Sequence, residues 1–167
     1  MKKDIILDID KCVGCGACAV ACMDQNDTLI DGDASSPNRR ICRAETGRFP
    51  EAQIRFASIS CMHCAEPACV LGCPTGALTK DKATGAVVAN PNLCIGCHSC
   101  ALACPFGVPR YDVDDKITKC DKCWVRTQCG LLPACVKVCQ TGALQYVEVD
   151  VLQAEKEERK YQRLLQG

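Results

Sequence analysis

The spacing of cysteines constrains this chain more than any other feature of its sequence. The 167 residues include 18 cysteines, far above the usage of ordinary globular proteins. Sixteen of them form four groups, each opening with C-x2-C and closing with C-x3-C. The groups are Cys12, Cys15, Cys18 and Cys22; Cys61, Cys64, Cys69 and Cys73; Cys94, Cys97, Cys100 and Cys104; and Cys120, Cys123, Cys135 and Cys139. With one tryptophan, three tyrosines and three phenylalanines, the chain has few large side chains for a core, so the cysteines must help to organise its interior.

The sequence that follows two of the groups is also repeated. Cys73 precedes Pro-Thr-Gly-Ala-Leu, and Cys139 precedes Gln-Thr-Gly-Ala-Leu. Together with the common spacing of the groups, this similarity indicates an internal duplication.

Charge and hydropathy exclude several classes of protein. Lys plus Arg and Asp plus Glu both number 20, so the polypeptide has no basic field that would attract nucleic acid. The first residues contain no apolar stretch suited to a signal peptide, and no window approaches the roughly 18 apolar residues of a membrane span. We therefore expect a cytoplasmic protein without a membrane span. Because thiols stay reduced in that compartment, the cysteines predict metal or redox sites rather than disulfides.

The spacing within each group predicts iron–sulfur clusters. A C-x2-C-x2-C loop wraps three thiolates around one face of a cubane, and Gly14, Gly16 and Gly96 let the backbone aim its N–H groups at the sulfurs. The fourth cysteine follows one helical turn later, which predicts a short helix carrying it, ended in two groups by Pro74 and Pro105. In two-cluster ferredoxins that fourth cysteine ligates the other cluster. Sixteen ligands therefore predict four 4Fe-4S clusters.

Structural zinc is the alternative use of such cysteines. Zinc sites normally join two C-x2-C pairs across a longer stretch of chain. Two of the groups instead place three cysteines within seven residues and a fourth one turn later, which favours a cubane.

Four further residues are possible ligands that we interpret otherwise. Cys42 and Cys129 lie outside the pattern, and we expect both to be small buried apolar residues. A register in which Cys129 replaces Cys135 is disfavoured, because only Cys135 keeps the one-turn spacing to Cys139. His63 and His98 lie in spacer positions of the loops, where we expect them to shield a cluster or hydrogen-bond to its edge.

The remaining sequence predicts an α+β chain. Alternating apolar segments at 5–9, 54–60, 86–89 and 111–118 predict a short strand before each cysteine loop. Residues 23–53 read as a surface insertion, and five arginines in and just after it predict either a solvated loop or a docking surface for an acidic partner. These are Arg39, Arg40, Arg43, Arg48 and Arg55. Strong helix formers over 152–166 predict a helical tail that packs on another subunit.

In the order of its groups and in the runs Cys94-Ile-Gly-Cys97 and Pro133-Ala-Cys135-Val, the chain resembles a known family. This family comprises the four-cluster electron-transfer subunits of the dimethyl sulfoxide reductase type. Relatives of that family serve formate dehydrogenases, tungsten aldehyde oxidoreductases, hydrogenases and carbon monoxide dehydrogenases. The resemblance implies two bacterial-ferredoxin-like two-cluster modules, one nested within the other. The outer module would comprise 1–22 and 111–150 and the inner one 54–110, with an insertion at 23–53 and a tail at 151–167.

The resemblance also implies which cysteines share a cluster. The implied sets are Cys12, Cys15 and Cys18 with Cys139; Cys120, Cys123 and Cys135 with Cys22; Cys61, Cys64 and Cys69 with Cys104; and Cys94, Cys97 and Cys100 with Cys73. The chain departs from the family pattern in lacking a proline after Cys22 and Cys139 and in carrying Cys129.

A cubane held by four cysteines has no open position for a substrate, so such sites move single electrons. We expect no catalytic residues, and an electron-transfer subunit between a catalytic subunit and a second redox partner. The resemblance favours a molybdenum- or tungsten-pterin enzyme for formate or an aldehyde as the catalytic partner. The alternatives are a free polyferredoxin, a subunit of a hydrogenase or carbon monoxide dehydrogenase, and a filament joined through the tail.

Overall fold

A computed structural model describes residues 2–28 and 37–153 and residue 162 of this chain. Within these ranges, small strands alternate with short helices, as the α+β pattern predicted. The strands are β1 Lys3–Leu7, β2 Arg40–Thr46, β3 Gln53–Ile59, β4 Leu78–Lys80, β5 Val87–Ala89, β6 Arg110–Tyr111, β7 Ile117–Thr118 and β8 Leu144–Glu148. The helices are α1 Ala17–Gln25, α2 Ala68–Leu71, α3 Ser99–Ala103, α4 Trp124–Gln128 and α5 Ala134–Lys137. None of these described helices is long and apolar enough to span a bilayer.

The strands pair two by two, and one pair joins the beginning of the chain to its end. Strands β2 and β3, β4 and β5, and β6 and β7 are antiparallel neighbours in sequence, whereas β1 pairs with β8. In that last pair Lys3 lies opposite Glu148 and Leu7 opposite Leu144. Helices α1 and α5 also contact each other. The first and fourth cysteine groups are therefore brought together, although more than 80 residues separate them in sequence.

The duplicated sequence has a duplicated structure. Ala77 and Ala143 are each 2% exposed, and the leucines that follow them begin β4 and β8. A glycine with positive φ precedes each alanine, at +67° for Gly76 and +64° for Gly142. Each glycine N–H donates to the carbonyl of the preceding cysteine, Cys73 or Cys139. The β4–β5 hairpin thus corresponds to the β8–β1 pair, whose strands lie at opposite ends of the chain.

The core is small and is built partly from cysteine. One cluster of buried side chains contains Leu78, Val87, Cys100 and Ile117. A second contains Cys18, Cys135 and Leu144. Their separation gives each half of the molecule its own apolar centre.

Two predicted elements differ in the structure. One strand was expected at 111–118, but the structure has a hairpin of β6 and β7 there. The chain turns between them because the Asp112 carboxylate accepts hydrogen bonds from the N–H groups of Asp114 and Lys116. The segment 23–53 contributes the last turn of α1 and the whole of β2. A helical turn begins at 149–153, but the rest of the predicted tail helix, apart from Gln162, and its expected contact with a subunit lie outside the described residues.

Candidate metal centres

Each C-x2-C loop has a left-handed residue immediately before its second cysteine. These residues are Gly14, His63, Gly96 and Lys122, with φ of +70°, +45°, +69° and +62°. In the two non-glycine loops this conformation turns the backbone N–H toward the first cysteine. The N–H of His63 lies 3.5 Å from the Cys61 sulfur, and that of Lys122 lies 3.5 Å from the Cys120 sulfur. The glycines were predicted from the sequence, whereas His63 and Lys122 in this conformation were not.

The backbone at Gly14 lies close to the Phe56 ring, so substitution of Gly14 should destabilise the protein more than substitution of Gly16. A Cβ at Gly14 would lie 2.4 Å from the Phe56 ring, whereas a Cβ at Gly16 would meet nothing within 4 Å. Because both have positive φ, Gly16→Ala should cost about 1 kcal/mol from backbone strain alone. Gly14→Ala should cost about 3 kcal/mol, since the ring must also move. Melting temperatures of the iron-loaded variants test this, and equal losses would show that Phe56 moves aside freely.

The helices position the last two cysteines of each group. Cys18, Cys69, Cys100 and Cys135 lie in the first turns of α1, α2, α3 and α5. Of the fourth cysteines, only Cys22 lies within a helix, as predicted. Cys73, Cys104 and Cys139 follow the ends of their helices. Helix α1 continues past Cys22 because no proline follows that cysteine. Pro74 and Pro105 prevent α2 and α3 from continuing past Cys73 and Cys104. After α5, Cys139 leads directly into the turn at Gly142.

Two of the implied ligand sets each line one cavity. Set A, defined as Cys12, Cys15, Cys18 and Cys139, lines the first together with Ile41 and Leu144. Set D, defined as Cys73, Cys94, Cys97 and Cys100, lines the second together with His98 and Tyr111. Cys15 and Cys97 are exposed, so both cavities reach the surface.

Hydrogen bonds stabilise the thiolate form of several cysteines in sets A and D. Burial alone would raise the pKa of Cys139, but bonds from the Leu144 N–H, at 3.3 Å, and from Thr141 together lower it. The same balance lowers the pKa of Cys73 beside Thr75. Such donors would equally stabilise thiolates that ligate iron.

The other two sets contain no exposed cysteine: three of the four in the first are buried, and all four in the second are half-buried. Set B is defined as Cys22, Cys120, Cys123 and Cys135, and set C as Cys61, Cys64, Cys69 and Cys104. Burial, followed by the proximity of Cys120, Cys135 and Cys123, raises the pKa of Cys22 to about 12. Burial likewise raises the pKa of Cys69, which lies near Cys104 and Cys64. The structure therefore brings together the members of these two sets as well.

Neighbouring sets lie close to one another. Cys18 of set A and Cys135 of set B belong to one cluster of buried side chains. Burial raises the pKa of Cys120 of set B, which lies close enough to Cys61 of set C for their charges to raise that pKa further. Cys69 of set C packs against the same apolar cluster as Cys100 of set D. Sets B and C are thus central, and sets A and D are terminal.

Lysine side chains hold the cysteine loops through backbone carbonyls. Lys80 donates to the carbonyls of His63, at 3.3 Å, and Cys64. Lys116 donates to the carbonyl of Cys94 at 2.7 Å. Lys122 donates to the Lys3 carbonyl at 3.0 Å and pairs with Asp4 at 2.5 Å, which ties the fourth loop to β1.

A buried histidine provides an independent indication of a bound group. The Nδ1 atom of His63 accepts a hydrogen bond from the Val87 N–H at 3.0 Å, so the proton of the neutral ring is on Nε2. Burial, reinforced by Lys119 and Lys122, lowers the pKa of His63 to about 2. The buried Nε2 has no hydrogen-bond partner among the described residues. A sulfur of a cluster would supply the missing acceptor, in agreement with the predicted role of His63.

The structure corrects two expectations about the remaining residues. Cys129 is exposed at the end of α4, not buried, whereas Cys42 in β2 is half-buried. Neither lines the cavities of set A or set D. Among the five arginines, Arg39 is only 3% exposed and cannot belong to a docking surface. The other four are exposed.

The arrangement fits iron–sulfur cubanes. The cysteines of sets A and D surround cavities, with donors such as Thr141, the Leu144 N–H and Thr75 near their sulfurs. Cysteine loops of this form on a fold of short strands and helices define a ferredoxin-like 4Fe-4S protein.

Comparison with known proteins defines the family. Residues 52–149, more than half of the chain, match the 4Fe-4S dicluster domain family, and residues 9–23 match a 4Fe-4S binding domain family. The chain belongs to the 4Fe-4S dicluster domain family, and its cofactors are four 4Fe-4S clusters.

Individual relatives extend over most of the chain. The B subunit of anaerobic dimethyl sulfoxide reductase from Haemophilus influenzae is 40% identical over 155 residues, covering 87% of this chain and 73% of that protein. Protein NrfC of Escherichia coli is 40% identical over 153 residues, covering 90% and 67%. The B subunit of anaerobic dimethyl sulfoxide reductase from Escherichia coli is 37% identical over 155 residues, covering 87% and 73%. The chain is therefore an iron–sulfur electron-transfer subunit of the kind represented by these relatives.

Proposed function

We propose that this chain relays single electrons through four 4Fe-4S clusters held by sets A, B, C and D, in that spatial order. The observation that carries the proposal is the packing of neighbouring sets. Cys18 packs with Cys135, Cys120 lies close enough to Cys61 for their charges to interact, and Cys69 packs against the cluster that contains Cys100. When bound, the clusters supply reversible one-electron chemistry, while the polypeptide fixes their positions and leaves no cysteine of the central pair exposed.

The nested ligation is part of the proposal and has two structural supports. The β1–β8 pair brings Cys12 and Cys139 to one cavity, so set A joins the two ends of the chain. The contact of α2 with α3 brings the second and third groups together, and set D combines Cys73 with three cysteines of the third group. The outer module would thus contain sets A and B and the inner module sets C and D.

The terminal sets are the proposed points of electron entry and exit. Cys15 of set A and Cys97 of set D are exposed, and the exposed apolar residues Val13 and Ile95 lie in the same loops, at 60% and 64% exposure. A redox partner that covers either loop would approach a sulfur ligand directly. We place a catalytic oxidoreductase subunit at one end and a second redox partner at the other.

The relatives support a reductase complex as the setting. Two of them are named as the B subunit of an anaerobic dimethyl sulfoxide reductase, which makes each one part of a larger enzyme. We propose that the catalytic partner here carries a molybdenum- or tungsten-pterin centre acting on formate or an aldehyde. The chain would supply no catalytic residue, because its cysteines would occupy every iron position.

Anaerobic affinity purification at native expression tests the partner. We expect a catalytic subunit to co-purify, with molybdenum or tungsten in the complex. Nickel in the co-purified complex would point to a hydrogenase or carbon monoxide dehydrogenase. A monomer that carries its iron but has no companion would contradict the proposal and favour a free polyferredoxin, whereas long assemblies of this chain alone would favour a filament.

A further inference from the structure

Two buried cations lie among the central cysteines without a carboxylate partner in the described part of the chain. They are Arg39, 3% exposed, and Lys119, 6% exposed. Burying an unpaired charge is costly unless a nearby charge of opposite sign compensates it. The two side chains therefore indicate where the folded protein holds negative charge.

Arg39 is fixed by two serines at the end of β3. Its guanidinium donates to the Ser58 carbonyl at 3.2 Å and the Ser58 hydroxyl at 3.0 Å, and to the Ser60 hydroxyl at 2.6 Å. The same Ser58 hydroxyl lies 3.2 Å from the Cys18 sulfur of set A. These contacts use neutral oxygen atoms, so they orient the guanidinium without cancelling its charge.

Arg39 lies next to the buried cluster that contains Cys135 of set B. The Ser58 hydroxyl that it contacts lies beside Cys18, and Cys18 packs in one cluster of buried side chains with Cys135. The uncompensated charge of Arg39 is therefore held close to set B.

The second buried cation, Lys119, lies between sets B and C. Its ammonium donates to the carbonyls of Val87 and Cys120, the latter at 2.6 Å. The Val87 N–H donates to His63 in the cysteine loop of set C, so the Lys119 ammonium lies between that loop and Cys120 of set B. In contrast, the buried Lys122 is paired with Asp4.

The central sets need this charge more than the terminal ones. An oxidised 4Fe-4S cluster with four thiolates carries about two negative charges, and reduction adds a third. A buried site disfavours that added charge, which lowers the reduction potential. At the terminal sets solvent access and hydrogen bonds reduce the penalty, whereas at the central sets the two cations must do so.

We propose that Arg39 and Lys119 are the residues that raise the reduction potentials of the two central clusters and so keep them within reach of electrons from the terminal pair. The inference rests on the proposed assignment of sets B and C. Both residues are positioning residues for electron transfer, since they act on the potential through charge.

The test is an anaerobic redox titration, followed by EPR, of iron-loaded Arg39→Gln and Lys119→Gln. We expect each variant to make reduction of a central cluster at least tenfold less favourable, which is about 59 mV for one electron. Arg39→Lys keeps the charge and should recover most of the potential. Arg40→Gln removes an exposed neighbouring charge and should shift it by less than a third as much.

Several outcomes would overturn the inference. Unchanged potentials in fully loaded Arg39→Gln and Lys119→Gln would do so, as would a shift of equal size in Arg40→Gln. Loss of iron from both glutamine variants would show a purely structural role and would also overturn it.

Cysteine variants separate this inference from the assignment on which it rests. The signal shifted by Arg39→Gln should be the one altered in Cys135→Ser, and a different signal would refute the role of Arg39. If Cys22→Ser and Cys135→Ser altered different signals, the nested ligation would fail while the role of Arg39 beside Cys135 would stand.

Discussion

Removal of iron by a chelator under reducing, anaerobic conditions is expected to unfold residues 2–28 and 37–148 almost completely. The largest fully buried side chains are Leu78, Ile117, Val87 and Pro133, which are too few to hold the described part of the chain together. Its sheets have only two strands each, and isolated two-stranded sheets are marginally stable in water. The metal-binding free energy is therefore also folding free energy.

Hydrogen exchange and far-UV circular dichroism provide the measurement. We expect protection in β1, β8 and the β2–β3 hairpin to disappear together on chelation and to return when iron and sulfide are supplied again. Buried Arg39 and Lys119 would further destabilise the folded apo-protein, because their charges would remain buried without the clusters that compensate them. Native-like protection in the apo-protein would contradict the prediction.

The second large effect is expected from Cys73→Ser. Cys73 follows the second group in sequence, yet it lines the cavity of set D with Cys94, Cys97 and Cys100. The substitution should therefore impair the cluster held by the third group, with a loss of up to about four irons per molecule. Iron analysis and EPR of the reduced protein measure the loss.

Matched variants define what this result would mean. Cys61→Ser should impair a different cluster, that of set C, and Cys42→Ser should leave the iron content unchanged because Cys42 lies outside the four sets. If Cys73→Ser and Cys61→Ser impaired the same cluster, ligation would be local to each group and the nested arrangement would be wrong.

The sequence alone predicted the local parts of this protein well. The C-x2-C spacing predicted iron–sulfur chemistry, which the family comparison confirmed. The predicted strands at 54–60 and 86–89 match β3 and β5 within one residue at each end. These features depend on residues that are close in sequence, so the spacing of the cysteines and the alternation of apolar residues can be read directly from the sequence. The hairpin at 111–118 was missed because the hydrogen bonds of Asp112 override a weak strand pattern.

What the sequence by itself determined is the kind of cofactor, the cysteines available to hold it and the α+β composition of the chain. Only the tertiary structure decided that β1 pairs with β8, that Cys139 shares a cavity with the cysteines of the first group, and that Arg39, Lys119 and His63 are buried. The physical reason is that a charge or a hydrogen-bond donor acts through space. Arg39 lies 96 positions before Cys135 in the chain, and no local pattern marks it as different from the exposed Arg40.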